Sequence, residues 1–505
     1  MGLDIYWIGL LVLVPVVALV AGHETILSLA ARGTSAEKKK EAREVNPLDD
    51  EAAKFHRTFL QVYLLVIGSE WLQNPFTYSL FRNEKTLDEA TVATLYTGTY
   101  VAAAAAALFA GHLTDRLGRR TACLAFCGAH SLAAASVCFD GLPILVLGRV
   151  LGGVALTLLS TAFESWAVAE YNARGLARSS LSLGAMLGQM TTSKCVTAIA
   201  AGVLGHCVVL ALGSKIHPFI LSVALDVFAA ALMMKTWNEN WGIRPTAGAD
   251  ADAEDNKAAE AQDHAASSEE TTTTSLWDPR VWAMSFVTCC FEGTIFLFMF
   301  FWPETLQHAH DREHPGLGDA IPHGVVFASF MAIMALGALF FNLVAAGPGG
   351  GEREAEVTRR RRALLTPTGL LEWALIVSAF CFAAAAFLQE EIGLFVSFLA
   401  LEVCNGIYVP SVAYQRGTIV TDDARARVYS LMNIPLFVFV VIALWTAGGG
   451  SGTDADPAAG RLLVFLICAN LLLVAAIVTS MYLNTERRKL EGYSEISVQD
   501  LANTG

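Results

Sequence analysis

The chain has 505 residues, is 54% hydrophobic and only 16% charged, and carries a formal net charge of −13. A water-soluble chain of this length exposes more charge, so composition excludes an ordinary soluble enzyme or binding domain. The acidic balance also argues against nucleic acid as a partner.

Apolar runs long enough to cross a bilayer recur throughout, and they are continuous rather than alternating, which selects helices over a β-barrel. The predicted spans are 3–22, 57–81, 92–111, 121–139, 142–165, 182–206, 216–236, 280–302, 323–345, 366–388, 391–415, 427–447 and 461–483. The first could be a cleaved signal peptide. Its leading MGLD is acidic and the basic EKKKEAR follows it, so a retained anchor with Met1 outside is expected.

Loop charge then orients the whole chain. Segments predicted inside, such as ARGTSAEKKKEAR, GHLTDRLGRR, EYNARGLARS and NTERRKL, are rich in Arg and Lys. CFDGLP, LQEEIG and AGGGSGTDADPAAG, predicted outside, have neither. The expected organisation is an extra N-terminal transmembrane helix (1–22), a basic cytosolic segment (23–54) and a six-helix half (55–236). An acidic, low-complexity, disordered cytosolic linker (237–279), a second six-helix half (280–484) and a cytosolic tail (485–505) follow. The ten cysteines show no zinc-ligand spacing and read as small apolar packers.

The loop after the second core span reads GHLTDRLGRR (111–120). It resembles the G-x-L-x-D-R-x-G-R-R/K signature of the major facilitator superfamily, at Gly111, Asp115, Arg116, Gly118, Arg119 and Arg120. GSEWLQNPFTYSL (68–80), LVLGRVLGGVALTLLSTAFESW (145–166), KTWNENWG (235–242), FEGTIFLFMFFWPETL (291–306) and LEVCNGIYVPS (401–411) are similar to the molybdate-anion transporter branch of that superfamily. The resemblance implies an all-α polytopic fold of two six-helix halves that rock by alternating access. It implies import of molybdate, a small inorganic oxyanion, across the plasma membrane, with protons as possible co-substrate and no cofactor. A monomer with a cytosolic C-terminus is expected. The alternatives are a proton-coupled carrier of sugars or other small organic solutes, or a non-transporting receptor or scaffold. No nucleophile–base set points to an enzyme.

Ionisable side chains at mid-membrane depth are costly and therefore candidates for function. They are Glu70, Arg149, Lys194, Asp226, Glu292 and Glu402. Arg149 offers a planar fork and Lys194 a point charge, so both suit an oxyanion, which has only acceptor oxygens. A structural ion pair is an equal reading for Arg149, and snorkelling the lesser one for Lys194. Glu70, Glu292 and Glu402 repel an anion when ionised, which suits them to proton coupling or charge pairing instead; Glu164 is a weaker gate candidate. Gln73, Asn74, Trp71, Asn405 and Tyr408 are expected around the substrate, with Tyr78 and Asn433 in support. Asp226, on a peripheral helix, reads as a structural pair or a misjudged depth. Pro75, Pro410 and Pro435 fall within helices, where they kink them.

Gly111 is expected to end its helix tightly, with Asp115 facing the start of the eleventh core helix near Arg425 and Arg427. That contact would latch the two halves on the inner side. His308, His310, His314 and His323 fall in a predicted outer loop with no element to fix them, so no metal site is expected. The glycine-rich GPGGGERE (347–354) lacks the features of a phosphate loop.

Overall fold

The computed structural model describes residues 5–37, 47–179, 181, 183–241, 278–315, 321–345, 366–419, 425–447 and 457–483. They form thirteen α-helices. These are α1 (Ile5–Glu37), α2 (Pro47–Ser79), α3 (Glu89–Leu117), α4 (Arg119–Ser136), α5 (Leu142–Ala173), α6 (Leu183–Leu212) and α7 (His217–Thr236). Then come α8 (Pro279–Glu313), α9 (His323–Ala345), α10 (Pro367–Phe387), α11 (Glu391–Ile419), α12 (Arg425–Ala447) and α13 (Pro457–Val478). Each predicted span coincides with one helix. Among the described residues, nine helices are long and apolar enough to cross a membrane. Of the other four, α2 and α4 are the least apolar of the described helices, because both open on charged residues, Asp49, Asp50, Glu51 and Lys54 in α2 and Arg119 and Arg120 in α4.

Local chemistry sets the starts. Asp88, Asp278 and Thr366 accept hydrogen bonds from the backbone N–H groups of Thr91, Arg280 and Gly369, each capping a helix. Pro279 and Pro367 occupy first-turn positions where no N–H is needed. The Thr91 hydroxyl holds the Asp88 carboxyl below the usual carboxylate range.

Helices α2–α7 pack as one bundle and α8–α13 as another. The bundles meet mainly through α3 against α12 and α6 against α9, while α1 lies on α9. At the α6–α9 crossing, a Cβ on Gly202 would stand 2.7 Å from the Gly324 carbonyl oxygen, so two backbones touch there. The end where α2 finishes and α3 begins is sealed by aromatic rings from both bundles. Tyr78 and Tyr96 meet Phe300 at 5.2 and 4.8 Å, and Tyr100 meets Phe296 at 5.3 Å and Phe437 at 6.3 Å. Arg461 and Glu89 pair across the same seam at 3.4 Å. At the opposite end the first bundle has its own core, built around Phe59, Phe126, Phe163, Trp166 and Trp237, with no second-bundle residue in it. Among the described residues, the halves therefore share a core at one end and have no common buried cluster at the other.

The charged loop 111–120 differs from expectation. Gly111 does not end α3, which continues to Leu117; Gly111 is exposed with open space around it. The break falls at Gly118, at φ +105°. That turn exposes the first N–H groups of α4, and Glu239 fills them: Arg120 N and Thr121 N donate to its carboxylate at 2.8 and 3.1 Å, and the Thr121 hydroxyl at 2.7 Å. An anion at a helix N-terminus meets both the unpaired donors and the favourable end of the dipole. Arg120 also donates to the Trp237 carbonyl at 2.8 Å, and Trp237 stacks on Trp166 at 3.7 Å. Residues 237–240, expected to open the linker, are thus bonded to the first half. Arg116 is exposed, and Arg119 reaches the Ser165 carbonyl at 3.4 Å. The side chains of Asp115, Arg425, Arg427 and Asn433 lie outside the described residues, as do GPGGGERE and residues 242–277.

The four histidines also depart from expectation. Helix α8 runs on to Glu313, so His308 and His310 are helical and His314 follows directly; His323 starts α9 and is buried. Trp302, Leu306 and Ala309, spaced along one face, are buried and carry the helix past its apolar span.

Gly118 adopts a backbone conformation that side chains rarely take, and a Cβ there would stand 2.5 Å from the Glu239 carboxylate. We expect Gly118→Ala to destabilise the folded protein by about 1–3 kcal/mol, and Glu239→Gln by about 1 kcal/mol. Thermal unfolding of the detergent-solubilised protein, followed by tryptophan fluorescence, measures both.

Candidate functional site

Helix α2 carries Glu70, Trp71, Gln73 and Asn74 in its last third, near the middle of the predicted span 57–81. Behind Glu70 lies a chain of buried polar groups. Its carboxylate meets His130 Nε2 of α4 at 3.0 Å, and His130 Nδ1 meets Asp226 Oδ2 of α7 at 2.6 Å. The Ser69 hydroxyl donates to Asp226 at 2.5 Å, and Ser131 lies 3.4 Å away. The Gln73 amide lies 2.7 Å from His130 Nε2 and 3.1 Å from Ser222 Oγ. The ring thus faces a carboxylate at each nitrogen and links the two acids across three helices. Asp226 is fully buried, whereas the Glu70 side chain is 27% exposed, so only one end of the chain opens to the space between the halves.

Two further cations act on Glu70, namely Arg149 of α5 and Lys194 of α6. Neither has an ion pair or hydrogen bond among the described residues, and Arg149 Nε is buried without a partner. Both rest on aromatic faces, Arg149 at 5.4 Å from the Phe81 ring and Lys194 at 5.7 Å from that of Trp71. Tyr96 is a further neighbour of Arg149. Trp71 packs on Phe327 of α9 at 5.4 Å, which places this group against the second half. The Trp71 indole N–H and the Tyr78 hydroxyl have no partner among the described residues. Asn74 is half-buried, and Glu164 is exposed on α5, near Tyr63. The glycines of α5 serve packing: a Cβ on Gly153 would strike the backbone of α3, and one on Gly148 the Ser136 side chain of α4.

The second half holds two separate acids. Glu292 of α8 pairs with Arg416 of α11 at 3.2 Å and accepts from the Tyr408 hydroxyl at 3.3 Å; Tyr408 stacks on Phe291 at 3.8 Å. Glu402 is fully buried. Asn405 donates to one of its oxygens at 3.0 Å, and the other oxygen has no partner among the described residues. The structure therefore gathers Glu70, Trp71, Arg149 and Lys194 in one place and puts Glu292 with Tyr408, and Glu402 with Asn405, in two others. Gln73 lies inside the first half.

His130 and Arg416 escaped the depth argument. His130 stands at the middle of its span in GAHSLAAA, where an ionisable group is as unusual as a carboxylate. Arg416 lies one residue beyond its predicted span and reads from sequence as a topology charge. Among the described residues the cysteines are free, and most are buried in helices.

A family model described as sugar transporters with twelve transmembrane spans matches residues 23–348. A molybdate-anion transporter of Takifugu rubripes is 29% identical over 484 residues, covering 89% of this chain and 94% of the relative. One from Danio rerio is 27% identical over 511 residues, covering 94% and 97%. Among solved structures, an auto-inhibited peptide transporter of the POT family superposes with TM-score 0.64 at 12% identity, covering 86% of this chain and 97% of that one. A D-xylose–proton symporter superposes with TM-score 0.57 at 14% identity, covering 85% and 97%. These superpositions establish the fold. The chain belongs to this twelve-span major facilitator family of transporters, and is a multi-pass membrane transporter rather than an enzyme.

Proposed function

We propose that the protein imports an oxyanion of the molybdate class by alternating access, with proton coupling through Glu70. The observation that carries this reading is the pair of unpaired cations, Arg149 and Lys194, beside a carboxylate that is bonded to His130 instead of to them. A dianion with only acceptor oxygens is held best by fixed donors in a site of low dielectric. If Glu70 bonded either cation directly, an entering anion would have to displace it. With Glu70 held by His130, Arg149 and Lys194 stand ready. The name shared by the curated relatives supports molybdate as the cargo.

Proton uptake by Glu70 removes the one negative charge facing the bound anion, so acid on the outer side strengthens binding. Loss of that proton inside restores the repulsion and releases the cargo. In the orientation expected from loop charge, with α2 starting in the cytosol, the aromatic seal is the outer gate and the parted ends face inward. Rocking about the α6–α9 contact would exchange the two. Asp115 would steady the inner ends when they close. Glu292 with Arg416 provides a second charge pair that can exchange partners during the cycle. We place the protein in the plasma membrane as a monomer, with its C-terminus in the cytosol.

A sugar carrier is the second reading, favoured by the family's description and by the unpartnered Trp71 N–H and Tyr78 hydroxyl. A neutral sugar leaves the two cations without a counter-charge, which is why it ranks second.

Molybdate uptake in cells lacking other carriers tests the site. Arg149→Ala and Lys194→Ala each remove a charge-assisted contact of about 1.5–3 kcal/mol, raising the half-saturating concentration by about ten- to a hundredfold. Unchanged uptake in both variants removes the anion site, and competition by xylose but not by sulfate selects the sugar reading.

Uptake is expected to rise as external pH falls, and Glu70→Gln to flatten that profile while the protein still reaches the membrane. A Glu70→Gln profile as steep as the wild type's assigns the coupling elsewhere.

A further inference from the structure

We propose that His310, His314 and Glu391 form a binding site for a divalent transition-metal cation of the zinc class, at the membrane face where α8 ends and α11 begins. The site is independent of the cargo site: it lies at the ends of second-half helices and uses none of the residues named there.

The donors come from two elements that the fold holds together. His310 and His314 are one helical turn apart at the end of α8, and their rings stack at 4.8 Å. Glu391 opens α11. Its Oε1 lies 3.0 Å from His310 Nδ1, and its Oε2 lies 3.7 Å from His314 Nδ1. All three donor atoms fall within 4.8 Å of one another. A tetrahedral ion with ligands at about 2.0–2.1 Å sets neighbouring donors about 3.3 Å apart; the His310 contact, to Oε1, is shorter than this and the His314 contact, to Oε2, is longer. His314, with its side chain 45% exposed, can turn to close the remaining gap, while Glu391 is 5% exposed and fixed. Two imidazoles and one carboxylate are nitrogen and oxygen ligands of the borderline type that suits zinc, and water completes the fourth position.

A second layer supports the carboxylate. The Tyr6 hydroxyl of α1 donates to Glu391 Oε1 at 2.6 Å, and the Glu391 backbone N–H donates to Glu313 at 2.8 Å. Such partners orient a ligand and stop it rotating away. Without metal, the His310 Nδ1–H donates to Glu391. A cation taken at Nδ1 selects the other tautomer, with the ring proton on Nε2. The ion ties α8 to α11 and, through Tyr6, fastens the extra helix α1 to the second half.

The test uses the full-length protein in lipid nanodiscs, stripped with EDTA and dialysed, in a Cys138→Ser, Cys207→Ser background that removes the two exposed thiols. Zinc chloride is titrated against the thermal midpoint and against bound zinc measured by mass spectrometry. We expect one zinc per chain and a raised midpoint, with no effect of calcium or magnesium. His314→Ala keeps the His310–Glu391 bond, and so the fold, yet is expected to weaken zinc binding by at least about tenfold; Tyr6→Phe is expected to weaken it by about ten- to a hundredfold. Zinc binding unchanged in His314→Ala and in the double variant His310→Ala, His314→Ala overturns the site, as does an absence of bound zinc in the wild type. An equal response to calcium overturns the assignment to a transition metal.

Discussion

Everything in the first half turns on one imidazole placed between two carboxylates. Burying Glu70 or Asp226 alone in a membrane bundle would be prohibitive, and removing one partner from a buried ion pair costs about 3–5 kcal/mol. His130 meets both needs at once, and in doing so it ties α4 to both α2 and α7. It also decides what the neighbours are free to do. Because the ring takes Glu70, Arg149 and Lys194 keep their charge unspent, supported only by the faces of Phe81 and Trp71. On the proposed reading, the same contact that holds the helices together leaves the positive ground on which the anion rests.

The two halves divide the remaining work unequally. The first concentrates charge; the second supplies the phenylalanines of the seal, Phe296, Phe300 and Phe437, which reach across to the tyrosines of α2 and α3. Between them, α6 and α9 approach closely enough for glycine backbones to touch. A contact without side chains to unlock is suited to rotation, while interlocked rings are suited to opening and closing as a set. Helix α1 complicates this division, since Trp7 meets His206 of the first half and Tyr6 meets Phe395 of the second.

Much of this was legible in the sequence, and the misses share a cause. The spans followed from hydropathy and loop charge, because a bilayer imposes both on every crossing helix. Glu70, Arg149 and Lys194 followed from depth. Partners did not, because they are chosen by tertiary packing: Asp226 lies 96 residues from the histidine it bonds. His130 went unnoticed where the rule was applied only to permanently charged side chains. Glu239 was hidden inside an acidic, disordered-looking stretch, although Trp237 beside it signalled burial. The length of α8 was missed because its last turns are polar, and their pinning by Leu306 and Ala309 requires neighbours that no local pattern reveals. The superfamily motif named the loop correctly but misplaced its hinge, which sits at Gly118 rather than Gly111.

The aromatic seal has an electrical consequence. Water reaches into a bundle from its open end, so the membrane voltage does not fall evenly across the protein; it falls mostly over the thin layer of rings that water cannot enter. In the proposed orientation a dianion passing that layer moves against an inside-negative potential of about 2.3 kcal/mol per charge per 100 mV. Import of such a cargo is electrophoretically uphill unless positive charge crosses with it. On the proposed reading the gate is a capacitor as well as a lid, and its thickness decides where in the cycle the cell's voltage is felt.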